Sequence, residues 1–423
     1  MSEDSKSVAE TLVSNRRDFI KNSAFFSAAT LAGGVGMTVS SGAWAAGSDK
    51  PEKTQVKVGF IPLTDCASIV VAAAMGFDKK YGIEIIPSKE ASWAGVRDKL
   101  VNGELDASHV LYGLIYGVQL GIGGIKNDMA VLMGLNNNGQ GITLSRQLLD
   151  QGVKDGPSLA KHIKANPREY TFANTFPTGT HAMWLNYWLA SQGVNPIKDV
   201  KNIVVPPPQM VANMRVGNMD GYCVGEPWNA RAIADNIGFS VATSQDVWAD
   251  HPEKVLGATA AWVKENPNTA RALIAAVLDA SRWIDNPKNR PLVAKLISDK
   301  SYVNAPEAVI AGRFLGQYDD GIGRKWQDKH SMAFFREGQT NFPYLSDGMW
   351  FLTQHKRWGL LSTDPDYLGV AKQINQIDLY KQAAAMARVP VPKQVMRSSK
   401  LIDGKVWDGK DPKAYAASFA IRA

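Results

Sequence analysis

Two segments far apart in the chain share one pattern. Residues 103–110 (Gly-Glu-Leu-Asp-Ala-Ser-His-Val) and residues 217–224 (Gly-Asn-Met-Asp-Gly-Tyr-Cys-Val) each follow a helix-like stretch, at 92–101 and 211–216. Each runs Gly, a variable residue, an apolar residue and Asp, then a short β-prone run ending in Val. Strand, loop and helix units precede both copies. Residues 56–62 alternate as a first strand, Thr64 and Asp65 offer a cap for an apolar helix at 66–76, and residues 81–86 read as a second strand. Pro206, Pro207 and Pro208 stiffen the approach to the second copy. Strands alternating with helices predict parallel sheets covered by helices. The repeat predicts two such α/β lobes, and a cleft between lobes is where small ligands bind.

One junction has the geometry for an anion. Residues 170–173 read as a short strand, 174–179 as a turn-rich loop, and 180–191 as an amphipathic helix carrying Trp184 and Trp188. The start of such a helix presents unpaired N–H groups and a positive dipole end. Thr178 is placed to cap it, Gly179 lets a backbone approach a ligand, and His181 in the first turn can point into the same space. A capped core helix anchored by its tryptophans fits the same window.

At the N-terminus, Arg16 and Arg17 precede a weakly apolar run at 24–39 and an Ala-Trp-Ala site at 43–45. That order is the one of a cleavable export signal of the twin-arginine type. The run contains Ser, Thr and Gly and is too short to span a membrane comfortably. The formal net charge of +7 survives removal of residues 1–45, because Lys6, Arg16, Arg17 and Lys21 there are balanced by Glu3, Asp4, Glu10 and Asp18. The basic residues are scattered and accompany no nucleic-acid motif, so the surface suits small anions better than nucleic acid. Cys66 and Cys223 form no C-x-x-C, and His109, His162, His181, His251, His330 and His355 form no short metal-type pair. No cofactor is indicated; the two cysteines fit either a disulfide or two buried thiols.

The organisation expected is a signal at 1–45, a first lobe built from 55–145 and 246–388, a second lobe at 146–245, and a C-terminal arm at 389–423. Residues 239–242 and 244–248 read as the return toward the first lobe. Ala- and Leu-rich helices follow, with irregular, aromatic-rich chain beyond Trp326.

The mature chain resembles the nitrate-binding proteins of bacterial nitrate ABC importers, and their bicarbonate-binding relatives. The likeness is carried by V-K-V-G-F-I-P-L-T-D-C-A, S-W-A-G-V-R-D-K-L, L-N-N-N-G-Q-G-I-T-L-S, G-T-H-A-M-W-L, Y-C-V-G-E-P-W-N and H-P-E-K-V-L-G. It spans most of residues 55–390. The resemblance implies an α/β fold of the two-lobed periplasmic binding protein type (type II), with the ligand in the cleft between lobes. It also implies that Trp93, Gln140, His181 and Lys254 hold the oxyanion. Nitrate has acceptor oxygens and no proton, so an all-donor set of indole, amide, imidazole and ammonium suits it. The bicarbonate-binding relatives look different at the lysine position, where an acidic residue assists a calcium ion; Lys254 therefore points to nitrate, with nitrite fitting the same donors. Partners implied are an ABC permease and its ATPase subunits, reached from the periplasm. Replacing Lys254 by Glu is expected to abolish nitrate affinity while leaving the melting profile of the unliganded protein little changed.

Two rivals are weaker. The enzymes of thiamine-pyrimidine synthesis, which resemble the chain more distantly, use a cysteine-rich motif absent here. Cytoplasmic nitrate sensors of similar appearance lack the reason for an export signal.

Overall fold

The computed structural model describes residues 49–423, so the export signal read at 1–45 lies outside the described residues. Two five-stranded sheets organise the chain. The first takes β1 (Gln55–Phe60), β2 (Glu84–Lys89), β3 (Ala107–Leu111), β4 (Met129–Gly134) and, from much later in the sequence, the strand Lys254–Thr259. The second takes β5 (Gln140–Ser145), β6 (Thr171–Asn174), β7 (Lys201–Val204), β8 (Gly221–Gly225) and β9 (Gly238–Thr243). The late strand of the first sheet, Lys254–Thr259, is β10.

Neither sheet is wholly parallel, contrary to expectation. β10 lies antiparallel between β3 and β4, and β5 lies antiparallel between β8 and β9. Both are strands that follow a crossing between lobes, so they enter their sheet from the side the other strands leave. The remaining pairs, β1 with β2 and β3, and β6 with β7 and β8, are parallel as the strand and helix alternation requires. The boundary expected at 145 moves: β5 already belongs to the second sheet, so the first crossing lies between β4 and β5. The return comes after β9, through a short helix at Ser244–Val247.

The sequence repeat has one structural job in both lobes. Asp106 accepts the Lys57 N–H at 2.8 Å through its carboxylate, and its own N–H donates to the Lys57 carbonyl at 3.0 Å. Asp220 does the same to Thr171, at 2.8 Å for each bond. Each Asp thus stitches the start of a strand, β3 or β8, to its parallel neighbour, β1 or β6, and sets the parallel register.

A buried helix, Pro267–Asp285, backs the first sheet with Ala67–Ala74 and Ile377–Met386. The helix Leu345–Arg357 reaches further: Trp350 stacks on Trp184 of the second lobe at 4.7 Å between ring centroids. Trp184, one of the tryptophans read as anchors of this helix, joins a cluster with Trp350, Trp248 and His251 that reaches beyond its own lobe. The chain beyond residue 389 contacts both the Leu345–Arg357 helix and the second lobe. Its short hairpin, Ser399–Lys400 with Val406–Trp407, buries Trp407 against the Leu345–Arg357 helix, where its indole donates to the Ser346 carbonyl. Asp403 accepts from Tyr187 of the second lobe at 2.9 Å. No helix among the described residues is long and apolar enough to cross a membrane.

Candidate functional site

The two lobes meet along the line where β1, β3 and β8 end and β5 and β10 begin. The Thr64 N–H donates to the Glu226 carbonyl at 2.7 Å, and the Trp228 indole donates to the Pro62 carbonyl at 2.9 Å. Glu226 itself is buried and paired with Arg313, so the Glu226-Pro227-Trp228 segment links the lobes as well as packing between them. On the opposite flank, the loop ahead of helix Thr180–Ser191 is pressed against helix Tyr112–Gln119. A Cβ on Gly113 would lie 2.2 Å from the Thr178 carbonyl oxygen, so only glycine fits there. Thr178 does not cap the helix: Gly179 occupies that position and no side chain accepts from the first turn. Nor does Gly179 face open space, because a Cβ there would meet Leu111 at 2.5 Å.

Between these contacts lies a fully buried polar cluster. Asp65 is not a helix cap; it sits in a 3-10 turn, Thr64–Cys66, and its carboxylate turns inward. Its Oδ1 meets His109 Nε2 at 2.7 Å and its Oδ2 accepts from Lys254 Nζ at 2.8 Å. Lys254 also donates to Glu253 Oε1. The same Glu253 oxygen accepts from the Thr180 hydroxyl at 3.1 Å, and Oε2 accepts from the Trp184 indole at 3.4 Å. Gln140 Nε2 donates to Thr180 at 3.1 Å, while Cys223 Sγ lies 3.8 Å from Gln140 Oε1 and orients the amide. Cys66 and Cys223 are free, buried thiols.

All four residues singled out in the sequence lie at this cluster or on its edge, each essentially without solvent exposure. Lys254 Nζ stands 5.7 Å from the Trp93 ring centroid. His181 Nε2 lies 3.8 Å from Glu253 Oε1, beyond hydrogen-bond reach. Its Nδ1 contacts the Thr175 hydroxyl; with that hydroxyl donating, Nε2 carries the proton and is a donor. His181 Nε2 and Trp93 Nε1 have no partner. A buried donor left unpaired costs about 1–3 kcal/mol, a cost recovered when an acceptor arrives. Among the described residues, no group of three or more His, Cys, Asp or Glu side chains is arranged to hold a metal ion.

The electrostatics centre on one lysine between two carboxylates. Burial pulls the Asp65 carboxyl up, but Lys254 and His109 outweigh it and hold it below the usual range. Burial raises Glu253, and Asp65 adds to the rise against the pull of Lys254. Burial lowers Lys254, yet its two carboxylates prevail and keep it protonated. His181 and His109 are both lowered by burial, His181 well below the usual imidazole value with Lys254 adding to the effect.

From sequence, Thr64 and Asp65 read as the start of a helix across the cleft from His181, able to offer backbone donors, and Glu253 as the neighbour that would take the place of Lys254 in a bicarbonate site; the Asp65 side chain, His109, Thr180 and Trp184 carry no site signal of their own. Glu253 stands next to Lys254, and Thr180 next to His181, so adjacency to the named residues was the only signal available for these two.

The sequence model of the NMT1-like family matches residues 49–298. The nitrate/nitrite binding protein NrtA of Nostoc sp. is 39% identical over 394 residues, covering 89% of this chain and 88% of that one. The nitrate import ATP-binding protein NrtC of Synechocystis sp. is 35% identical over 386 residues, covering 90% of this chain and 58% of that protein. Among solved structures, the periplasmic nitrate-binding protein NrtA from Synechocystis superposes with a TM-score of 0.84 at 36% identity, covering 88% of this chain and all of the other.

Proposed function

The chain belongs to the NMT1-like family and, within it, to the family of nitrate/nitrite-binding proteins, and from that premise we propose that Trp93, Gln140, His181 and Lys254 hold nitrate in the closed cleft. The protein is the periplasmic nitrate-binding component of an ABC importer. Nitrite offers the same acceptor oxygens. The observation that supports the ligand assignment most is the pair of buried donors without acceptors, Trp93 Nε1 and His181 Nε2, flanking the site of Lys254. An oxyanion lodged there gains two hydrogen bonds that the free protein lacks, and the lysine adds a charge-assisted third.

The protein acts by binding and not by catalysis. The cross-lobe contacts of Glu226, Trp228 and Thr178 belong to a closed form, and an anion that bridges donors from both lobes favours that form over an open one. The membrane permease then takes the anion from the closed protein. Export through the twin-arginine pathway, with cleavage after about Ala45, delivers the protein to the periplasm.

Bicarbonate is the competing ligand, because Glu253 offers an acceptor for its O–H. A calorimetric titration of the mature protein with nitrate, nitrite, and bicarbonate with and without calcium separates the two. Nitrate is expected to bind; tight bicarbonate binding with no response to nitrate would overturn the assignment.

A further inference from the structure

We propose that Glu253 is an internal counter-anion that competes with the ligand for the same donors, so that nitrate binding is coupled to the uptake of one proton by Glu253. The inference rests on the anion site described above and concerns what happens to the charge already there.

A carboxylate and a nitrate ion are both flat, delocalised oxyanions. In this structure Glu253 occupies the role of the second: its Oε1 takes Lys254 Nζ and the Thr180 hydroxyl, and its Oε2 takes the Trp184 indole. Through Thr180 it also engages the Gln140 amide. His181 Nε2 points to within 3.8 Å of the same oxygen. Of the four donors assigned to the ligand, three are thus tied to Glu253 or aimed at it. The side chain is fully buried, so it cannot simply swing into water.

Charge balance decides the outcome. The cluster holds Asp65 and Glu253 against Lys254, and an arriving anion makes three negative groups around one ammonium at a position without solvent exposure. A proton must come in. Every titratable group facing Glu253 is known: Asp65 across Lys254, His109 behind Asp65, His181 on the second-lobe helix, Cys223 on β8, and His251, whose Nδ1 lies 3.9 Å from Oε2 but is committed to the Pro252 carbonyl at 2.9 Å. Asp65 is held ionised by Lys254 and His109, both unpaired-side imidazoles resist a proton because burial lowers them, and the Cys223 thiol is already neutral because burial raises it. Glu253 alone is displaced toward its protonated form, by burial first and Asp65 second. Once neutral, its O–H becomes a further donor to the anion instead of a rival.

The test is a proton inventory: nitrate titrations by calorimetry in buffers of different ionisation enthalpy, from pH 5.5 to 9.5, on the mature protein and on Glu253→Gln. The expected result for the unmodified protein is a dissociation constant that rises toward the limiting slope of about tenfold per pH unit once free Glu253 is ionised, with up to one proton taken up per nitrate. Glu253→Gln, uncharged and of the same shape, is expected to bind more tightly at alkaline pH, with a flat profile and no proton uptake. Nitrate binding by the unmodified protein with a flat profile and no uptake would overturn the proposal while leaving the nitrate site standing. Uptake that persists in Glu253→Gln would also overturn it, by assigning the proton to an imidazole. No nitrate binding at any pH by either protein would remove the nitrate site itself.

Discussion

Replacing Lys254 by Met tests whether the lysine serves only the ligand. Lys254 Nζ lies 2.8 Å from Asp65 Oδ2 and also bonds Glu253, with all three side chains fully buried. In the intact protein the attraction is large, but desolvating three charges offsets most of it, so the cluster adds little net stability. Removing the one cation is a different matter, because it strands two carboxylates without a counter-charge. Breaking a buried pair in that way costs about 3–5 kcal/mol, which for a chain of this size lowers Tm by roughly 5 °C. Loss of a charge-assisted bond of about 1.5–3 kcal/mol to the anion weakens nitrate binding by roughly 10- to 150-fold. The stability deficit also has a pH signature. In the variant, Asp65 and Glu253 hold protons in the folded chain at pH values where the unfolded chain has released them, and His109 is the nearest group able to share the load. A carboxyl whose folded pKa lies above its unfolded value contributes stability at low pH that is lost as pH rises. The deficit should therefore be largest near pH 8.5 and shrink toward pH 5. Scanning calorimetry across that range, with nitrate titrations beside it, reads both effects. A variant that loses nitrate binding yet melts like the unmodified protein at pH 8.5 would refute the reasoning, and would restore the expectation from sequence that Lys254 carries no structural weight.

Other perturbations follow from the same geometry. Gly113→Ala places a methyl group 2.2 Å from the Thr178 carbonyl oxygen, which obstructs the closed contact while favouring helix Tyr112–Gln119 itself. Nitrate affinity should fall while Tm of the free protein holds or rises slightly, and an affinity equal to the unmodified protein's would show that the loop yields. Four buried imidazoles, His109, His181, His251 and His355, are lowered by burial, His251 to about 3 and His355 to about 4. The unfolded chain takes up these protons near pH 6.5 and the folded chain does not. Tm of the unliganded protein should thus decline as pH falls from about 6.5 toward 4, and a Tm unchanged between pH 7 and 5 would contradict it.

Much of the architecture was legible because it is written in short-range order. The period of two in 56–60 and of 3.6 in the helices gives strands and helices wherever one face is buried. The Gly-x-apolar-Asp repeat predicted two lobes, and Asp106 and Asp220 do carry one identical backbone task in each. Ser92, read as the start of a helix, accepts from the Gly95 N–H at 3.1 Å. Strand β10 is not marked in the sequence because Lys254–Thr259 is buried along nearly its whole length and shows no alternation of period two, and its direction is set by the crossing from the other lobe.

What the sequence by itself determined is therefore the alternation of strands and helices and the two-lobed plan; the resemblance added the four donors proposed for the ligand. Tertiary structure alone decided what those donors face. Asp65 and Lys254 are 189 positions apart, and Thr180 and Glu253 are 73 apart; no local pattern relates them, because side-chain periodicity reports which face of one element is buried and not what lies opposite. The meeting of the lobes makes Asp65, read from sequence as a helix cap, a counter-charge, the neighbouring Glu253 a rival for the ligand, and Lys254 the cation that both carboxylates share. Where charges are shielded from solvent, the energy of each depends on its partners, and the partners are chosen by the fold.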